Sequence, residues 1–226
     1  MSLEPADGLL SEAGVTSDAS FTSVFEAALR GEACSVVGIG EVPEALPVSE
    51  WKREADAGDR ALLSLCEGPT LDVGCGPGRM AEHLSDAGHT VLGIDVVHEA
   101  VLQTRNRGVS AIVRNVFDTL PGEGRWQSAL LADGNIGIGG DPAALLGRIR
   151  ELLDPDGRVV VELSPPGTGL QSMWACLEAG GRRSRPFRWS VVGTDAIAEV
   201  ADEVGFTVHA LHHHGERWFS VLLPVG

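Results

Sequence analysis

The stretch Leu71-Asp72-Val73-Gly74-Cys75-Gly76-Pro77-Gly78-Arg79 limits the possible folds more than any other part of the chain. Residues 70–73 have the apolar character of a short buried strand, and 79–87 carry apolar residues at helical spacing, closed by Gly88. Three alternating glycines therefore stand where a strand hands over to a helix. Glycine accepts the left-handed backbone that a sharp bend needs, and it leaves room for a ligand to come close to the chain. The free N–H groups at the helix start then face whatever fills the bend.

The same alternation continues beyond the bend. Residues 90–94, 110–116, 128–132 and 158–163 read as strands. Between them, 98–106 and 142–153 read as helices, the second with Asp141 as N-cap and Pro142 at its first position. Asp154-Pro155-Asp156-Gly157 reads as a turn, and 194–204 as a helix capped by Thr194. Strands separated by helices imply crossovers and a parallel sheet. The last two strands, 206–211 and 218–223, flank His213-His214-Gly215-Glu216, a turn too short for a crossover, so they pair antiparallel. The expected fold is α/β: a doubly wound, mostly parallel seven-stranded sheet with one antiparallel strand near the edge.

Residues 1–20 are small, acidic and weakly periodic, and are predicted to be disordered. Residues 21–66 are expected to form an extension that serves as a lid or substrate cap. It contains a helix at 21–30 stopped by Gly31, an irregular hairpin at 34–48, and helical spacing again over 51–66. Residues 67–226 then form the ligand-binding domain.

Asp95 ends the strand that follows the bend, 21 residues after Gly74. A carboxylate at that place in a doubly wound sheet accepts hydrogen bonds from ribose hydroxyls, so bend and acid together point to an adenosine ligand. A dinucleotide fingerprint needs a third glycine where this chain has Arg79, and no phosphate-binding GxxxxGK[ST] string occurs.

Composition narrows the field further. A net charge of -15 disfavours a nucleic-acid surface. No apolar run approaches the roughly 18 residues that span a bilayer, and the first residues lack a signal peptide's pattern, so a cytoplasmic protein without a membrane partner is expected. Cys34, Cys66, Cys75 and Cys176 are scattered with no CxxC pair, which predicts reduced thiols and no metal site. Cys75 reads as a small buried side chain rather than a nucleophile.

On its loop, its acid and its strand order, the chain resembles the class I S-adenosylmethionine-dependent methyltransferases over about residues 60–223. The resemblance implies S-adenosylmethionine as cofactor and a small-molecule methyl acceptor as partner. It implies that Gly74, Cys75, Gly76 and Gly78 shape the loop around the methionine and ribose. Asp72 would lie near the methionine amine, with Arg79 in support at the helix start. Asp95 would hold the ribose hydroxyls, and Val96 would pack on adenine. Asn115, beside Val116, stands where the family often has an acid for the adenine amino group, with Asp118 three residues on. Asp133-Gly134-Asn135 would meet the methionine end and frame the acceptor. The string from Asp133 to Pro142 also resembles that of bacterial members of the family.

Methyl transfer from a sulfonium is an in-line displacement that chiefly needs alignment. The general-base candidates are Asp133, Glu162 and the His212-His213-His214 run, with Asn135 as a further site candidate. The acceptor site is expected from 51–59 and from 165–193, outside the regular sheet. The latter holds Trp174, Phe187 and Trp189, and a cluster of Arg182, Arg183, Arg185 and Arg188. That cluster fits either an anionic acceptor or a solvated loop. Two other readings stay open: a nicotinamide-dependent oxidoreductase, and a non-catalytic protein that binds the adenosine ligand. No residue pattern sets an oligomeric state.

Overall fold

A computed structural model describes residues 16–40 and 42–225. Residues 1–15 of the segment predicted to be disordered lie outside the described residues. The rest of that segment differs from expectation: Thr16–Ala19 forms strand β1. Its partner, Arg182–Ser184, lies over 160 residues away, so local composition carries no trace of the pairing.

Helix α1 (Phe21–Leu29) follows, then strands β2 (Cys34–Val37) and β3 (Glu44–Ala45), and helices α2 (Val48–Lys52) and α3 (Ala57–Leu63). Ser20 caps α1 by accepting from the Ser23 N–H at 3.1 Å. The helical spacing over 51–66 is interrupted between α2 and α3, where Asp56 and Asp59 form a reciprocal capping box that starts α3 afresh. The central region runs β4 (Thr70–Val73), α4 (Arg79–Asp86), β5 (Val91–Asp95), α5 (His98–Asn106), β6 (Ala111–Val113) and β7 (Trp126–Leu131). A 3-10 turn at Asn135–Gly137, α6 (Pro142–Leu152) and β8 (Leu153–Leu163) come next. The chain ends with β9 (Leu170–Ala179), β10 (Arg182–Ser184), β11 (Phe187–Val192), α7 (Ile197–Asp202), β12 (Phe206–His214) and β13 (Arg217–Pro224).

Seven strands form the main sheet in the order β12-β13-β8-β7-β4-β5-β6. Only β13 runs antiparallel, against both β8 and β12. The central strands are mostly apolar because both faces are covered; β4 is buried at all four positions, Thr70 and Asp72 included. In β7, Ala129 and Leu131 face the cluster that includes Leu145 and Ile149 of α6. Leu130, between them, faces Leu62 of α3 and Met80 of α4.

Three local expectations change. Residues 154–157 are absorbed into β8 rather than forming a separate turn. His213 and His214 belong to β12, and the reversal falls at Gly215 and Glu216. Thr194 does not cap α7, which starts at Ile197 with Ala196 as N-cap. In each case cross-strand or tertiary pairing overrides a favourable local turn or cap.

The segment 165–193 lies outside the main sheet, as expected. It supplies β9, β10 and β11 to a second sheet, which the sequence did not indicate, ordered β1-β10-β9-β2-β3 with β11 also on β9. Val36 of β2 stands opposite Leu177 of β9. Helix α1 packs on this sheet through Val24 and Ala28, against Cys34, Val36, Ala175 and Leu177. The layer is thus shared by two chain segments, and neither closes it alone.

One side chain fastens α3 to the main sheet. Asp59 is 0% exposed and accepts from Arg79 of α4, from Arg217 of β13 at 2.7 Å and from Arg53 at 2.5 Å. Burial alone would raise its pKa, but Arg217, Arg79, the Asp56 N–H and Arg53 together hold the carboxyl below the usual range. A depressed native pKa adds stability above the unfolded value near ~3.9, and that stability is lost as pH falls through the native value. Asp59→Asn should therefore cost about 3–5 kcal/mol at neutral pH in urea denaturation. The loss of stability below about pH 4 should also become shallower in the variant.

Candidate active site

The glycine bend is held from below by β5. The N–H groups of Gly74 and Cys75 both donate to the Ile94 carbonyl, at 2.9 and 3.0 Å. Gly78 has φ +89°, and a Cβ there would lie 2.9 Å from the Thr104 Cα, so only glycine lets α4 approach α5 this closely. Gly76 has φ +54° and meets nothing within 4 Å. A side chain there would project into open space at the bend.

Asp95 links the bend to the next strand end. Its Oδ2 accepts from the Gly76 N–H at 3.0 Å and its Oδ1 from the Val97 N–H at 2.9 Å. Burial raises its pKa despite these bonds.

A cavity of about 770 Å³ opens between the bend and the second sheet. Gly74, Cys75, Gly76, Arg79, Asp95 and Val96 line its floor, and Asn115, Val116, Asp133 and Asn135 continue it across the strand ends. Val96 is 42% exposed there, a large apolar surface left open at a strand end. Ten of the sequence-predicted residues thus meet in one place.

Several take different parts from those expected. Gly78 and Asp72 do not line the cavity; Gly78 packs on Thr104, and Asp72 is buried behind the bend at 2% exposure. The Cys75 thiol turns toward Thr104, Sγ to Oγ1 3.7 Å, and burial pushes its pKa well up. Asn115 Oδ1 accepts from the Phe117 N–H at 3.1 Å, and Asp118 is exposed outside the lining. Asn135 Nδ2 donates to the carbonyls of Val73 and Gly74, at 2.9 and 3.0 Å, and so braces the bend.

Asp133 has φ +51° and is the one non-glycine with a positive φ among the described residues. Its carboxylate is gripped by Arg79 Nη2 at 2.8 and 2.6 Å. Its N–H donates to Glu162 Oε2 at 2.8 Å. Glu162 in turn accepts from Arg217 Nε at 2.7 Å and Nη2 at 2.9 Å. Arg217 and Arg79 both reach Asp59, so the five residues close a ring in which the Asp133–Glu162 link is the Asp133 backbone N–H. Neither Asp133 nor Glu162 has a free carboxylate to offer as a base. His212 is no closer to that role: it is exposed on edge strand β12, opposite Phe219, outside the cavity.

The arginine cluster also stands mostly apart from the cavity. Arg182 pairs with Glu32 at 3.6 Å and Arg183 with Glu178 at 2.7 Å, while Arg185 is exposed outside the lining. Arg188 reaches the lining, but its guanidinium lies over the exposed Trp174 ring at 5.5 Å. β11 and β9 place Arg188 opposite Trp174, on the face that alternates with Phe187 and Trp189.

The sequence reading missed two parts of the site. The first is the ring of charges, whose members come from five elements or loops and share no motif. The second is an aromatic wall. Trp51, Phe187 and Trp189 lie in the segments expected near an acceptor, but Phe21 and Phe25 of α1 join them. The neighbouring ring centroids are 6.4, 4.9, 5.5 and 5.8 Å apart along Trp189-Phe187-Phe21-Phe25-Trp51. The two phenylalanines at i, i+4 on α1 were the available signal, and they look the same as core residues in sequence.

Two buried polar atoms beside the bend, Asp72 Oδ2 and Arg79 Nε, have no hydrogen-bond partner among the described residues. Burial, then Asp133 and Asp95, push the Asp72 carboxyl up to about 7, against the pull of Arg79. One orphaned acceptor and one orphaned donor beside the bend suit a zwitterionic amino-acid group, and the open space at Gly76 suits a ribose.

Residues 52–211 match the family model described as a methyltransferase domain. Among curated proteins, none matches the chain. Among solved structures, it is similar to an S-adenosylmethionine-dependent methyltransferase from Bacteroides fragilis in complex with S-adenosyl-L-homocysteine. That likeness has a TM-score of 0.77 and 21% identity, over 91% of this chain and 94% of the other. It is also similar to 1,6-didemethyltoxoflavin-N1-methyltransferase from Burkholderia thailandensis, with bound 1,6-didemethyltoxoflavin and S-adenosylhomocysteine, at TM-score 0.56 and 19% identity over 75% and 79%. The CcbJ methyltransferase from Streptomyces caelestis is similar at TM-score 0.57 and 19% identity over 76% and 91%. These three likenesses concern the fold; the family model spans most of the chain, which belongs to the methyltransferase-domain family of class I S-adenosylmethionine-dependent enzymes.

Proposed function

We propose that this methyltransferase carries the methyl group of S-adenosylmethionine to a small-molecule acceptor held in the same cavity. The observation that carries the reading is the continuity of that cavity, from the glycine bend and Asp95 to the aromatic wall. Its volume, about 770 Å³, lies toward the upper part of the range for ligand pockets, about 300–1,000 Å³, as two ligands side by side require. The Burkholderia thailandensis structure, with a small acceptor and S-adenosylhomocysteine bound together, supports the same arrangement.

S-adenosylmethionine supplies a methyl group already activated by its sulfonium. The chain's part is to bind and align. Asp95 accepts from the ribose hydroxyls while its two backbone bonds keep it fixed. Val96 and Val116 enclose the adenine, and Asn115 offers its amide at the ring edge. The Asp72 carboxylate attracts the amino group from behind the bend, and Arg79, whose Nε is the other orphaned atom, faces the cofactor's carboxylate. Asn135 holds the bend, and Asp133, locked by Arg79, stands where cofactor and acceptor meet. The second sheet, with α1, acts as the cap that excludes water. Alignment of this kind supplies roughly 7–11 kcal/mol of a displacement barrier.

The nicotinamide reading fits less well. Arg79 takes the place of the third glycine, and its side chain fills that position with the ring of charges.

Gly76→Val should remove measurable S-adenosylhomocysteine binding in calorimetry, because its side chain would enter the cradle while the buried core stays intact. Asp95→Asn should weaken binding by roughly ten- to a hundred-fold, the loss of about 1.5–3 kcal/mol expected for hydrogen bonds to a charged group. NAD should not bind either protein or the wild type; tight NAD binding without sulfur ligands would overturn the proposal.

A pH effect follows from Asp72. Its carboxyl is raised to about 7 in the free protein, and an ammonium placed beside it favours the ionised form. Ligand binding should therefore expel a proton, and affinity for S-adenosylhomocysteine should fall as pH drops from about 8 to about 6. Asp72→Asn should bind more weakly and lose that slope.

A further inference from the structure

The wall that faces the cofactor half of the cavity is aromatic, and its side chains offer no proton acceptor, since an indole N–H only donates. The chain contains no tyrosine, so its rings carry no hydroxyl. Phe21, Phe25, Trp51, Phe187 and Trp189 are each half-buried and turn their remaining surface to the cavity. Trp189 pairs with Ile138, and its ring packs against Gly137, which sets the near end of the wall beside the Asp133–Asn135 strand end.

No free base stands on this cavity. Among the described residues, its titratable lining is Cys75, Arg79, Asp95, Arg114, Asp133 and Arg188. Cys75 is turned to Thr104; Asp95 is held by two backbone N–H groups; Asp133 is held by Arg79. An alcohol, phenol, thiol or carbon acid would need a proton removed before or during attack. An anionic acceptor would need a cation to face it, and Arg188 is placed over Trp174 on the outer face. Arg114 is exposed, at the far end of the lining beside Asn115.

Resting on the methyl-transfer reading above, we infer that the acceptor is a small apolar amine that binds uncharged and becomes cationic as it is methylated, with the aromatic wall and Asp133 stabilising the new charge. The nitrogen lone pair forms the N–C bond while the C–S pair leaves with sulfur, which becomes a neutral thioether. The nitrogen takes the positive charge. A primary or secondary amine then gives its proton to solvent after release, and a tertiary amine keeps the charge as a quaternary ammonium. Aromatic faces attract such a cation through their quadrupole, most strongly when it is desolvated. Because the attraction grows as charge moves onto nitrogen, it favours the transition state over the bound amine.

The test is a binding comparison that needs no turnover. The full chain, saturated with S-adenosylhomocysteine, is titrated with 4-(trimethylammonio)benzyl alcohol and with its uncharged isostere, 4-tert-butylbenzyl alcohol. The two have nearly the same shape, and an ordinary apolar pocket prefers the neutral one. The inference expects the cation to bind about ten-fold more tightly. Trp189→Leu and Phe187→Leu should remove that preference while S-adenosylhomocysteine affinity stays within about two-fold, consistent with a loss confined to the ring faces. Equal or tighter binding of the neutral isostere to the wild type overturns the inference and leaves the cofactor reading intact. Failure of S-adenosylhomocysteine to bind overturns the cofactor reading instead, and the same isostere pair, titrated without it, still decides whether the wall prefers a cation.

Discussion

The ring Asp59-Arg79-Asp133-Glu162-Arg217 is the interaction on which the site depends. It joins α3, the first turn of α4, the end of β7, β8 and β13, through four ion pairs and one backbone N–H, that of Asp133. Buried charges are costly unless each is paired, and the cost falls on whatever geometry leaves one unpaired. Asp59 meets three guanidinium groups and lies wholly inside. Arg79 spends two of its nitrogens on Asp59 and Asp133. The ring therefore works less as a source of stability than as a restriction on alternatives: moving α4 or the β7 end by one residue would strand a charge. It also holds Asp133 in a left-handed backbone that a non-glycine residue enters only under constraint.

The central sheet was legible because each of its signals is local. The period-two apolar runs, the helix stops at Gly88 and Gly108, the Asp141-Pro142 start and the glycine bend all lie within a few residues of what they determine. His98–Asn106 and Pro142–Leu152 follow from spacing and caps to within a residue. The ten lining residues that the loop motif and strand ends indicated share the same origin, since a strand's C-terminal end fixes where its last side chains stand. The second sheet was illegible for the opposite reason. β2 pairs with β9 across some 140 residues, and β1 with β10 across a longer span. Segment 165–193 has turn residues and aromatic residues that, taken alone, describe an irregular loop. It becomes a sheet only because α1 and β2 cover it.

The two missed parts of the site also differ in kind. Asp59, Arg217 and Glu162 are ordinary surface-type residues by composition, and their burial emerges only when three elements converge. Asp59 does carry a local signature, the capping box with Asp56, yet the box explains the helix start completely and leaves no residue for the sequence to account for otherwise. The aromatic wall is harder still. Phe21 and Phe25 satisfy a helix's apolar face, and a face turned to a cavity has the same spacing as one turned to a core. Charge alone left the four arginines open between an anion site and a solvated loop; the structure sets the Arg188 guanidinium over Trp174 and ion pairs occupy Arg182 and Arg183.

These details bear on how a chain with net charge -15 would serve the proposed transfer between small organic molecules. The cavity divides by polarity. Its floor gathers Asp95 and Asp133, with Asp72 close behind, and all three are raised in pKa by burial, so the floor favours a ligand that brings positive charge. Its roof is aromatic and offers no proton acceptor. A sulfonium transfers its charge together with the methyl group, so the sum of charge in the cavity does not change as the reaction proceeds to a neutral acceptor; the charge only moves from floor toward roof. A low-dielectric roof would oppose that movement if it were aliphatic. Rings at 4.9–6.4 Å spacing, one pair stacked, one tilted and two edge-to-face, bring π-systems to the path of the incoming charge, and this makes aromatic residues rather than leucines the physically apt material for the wall.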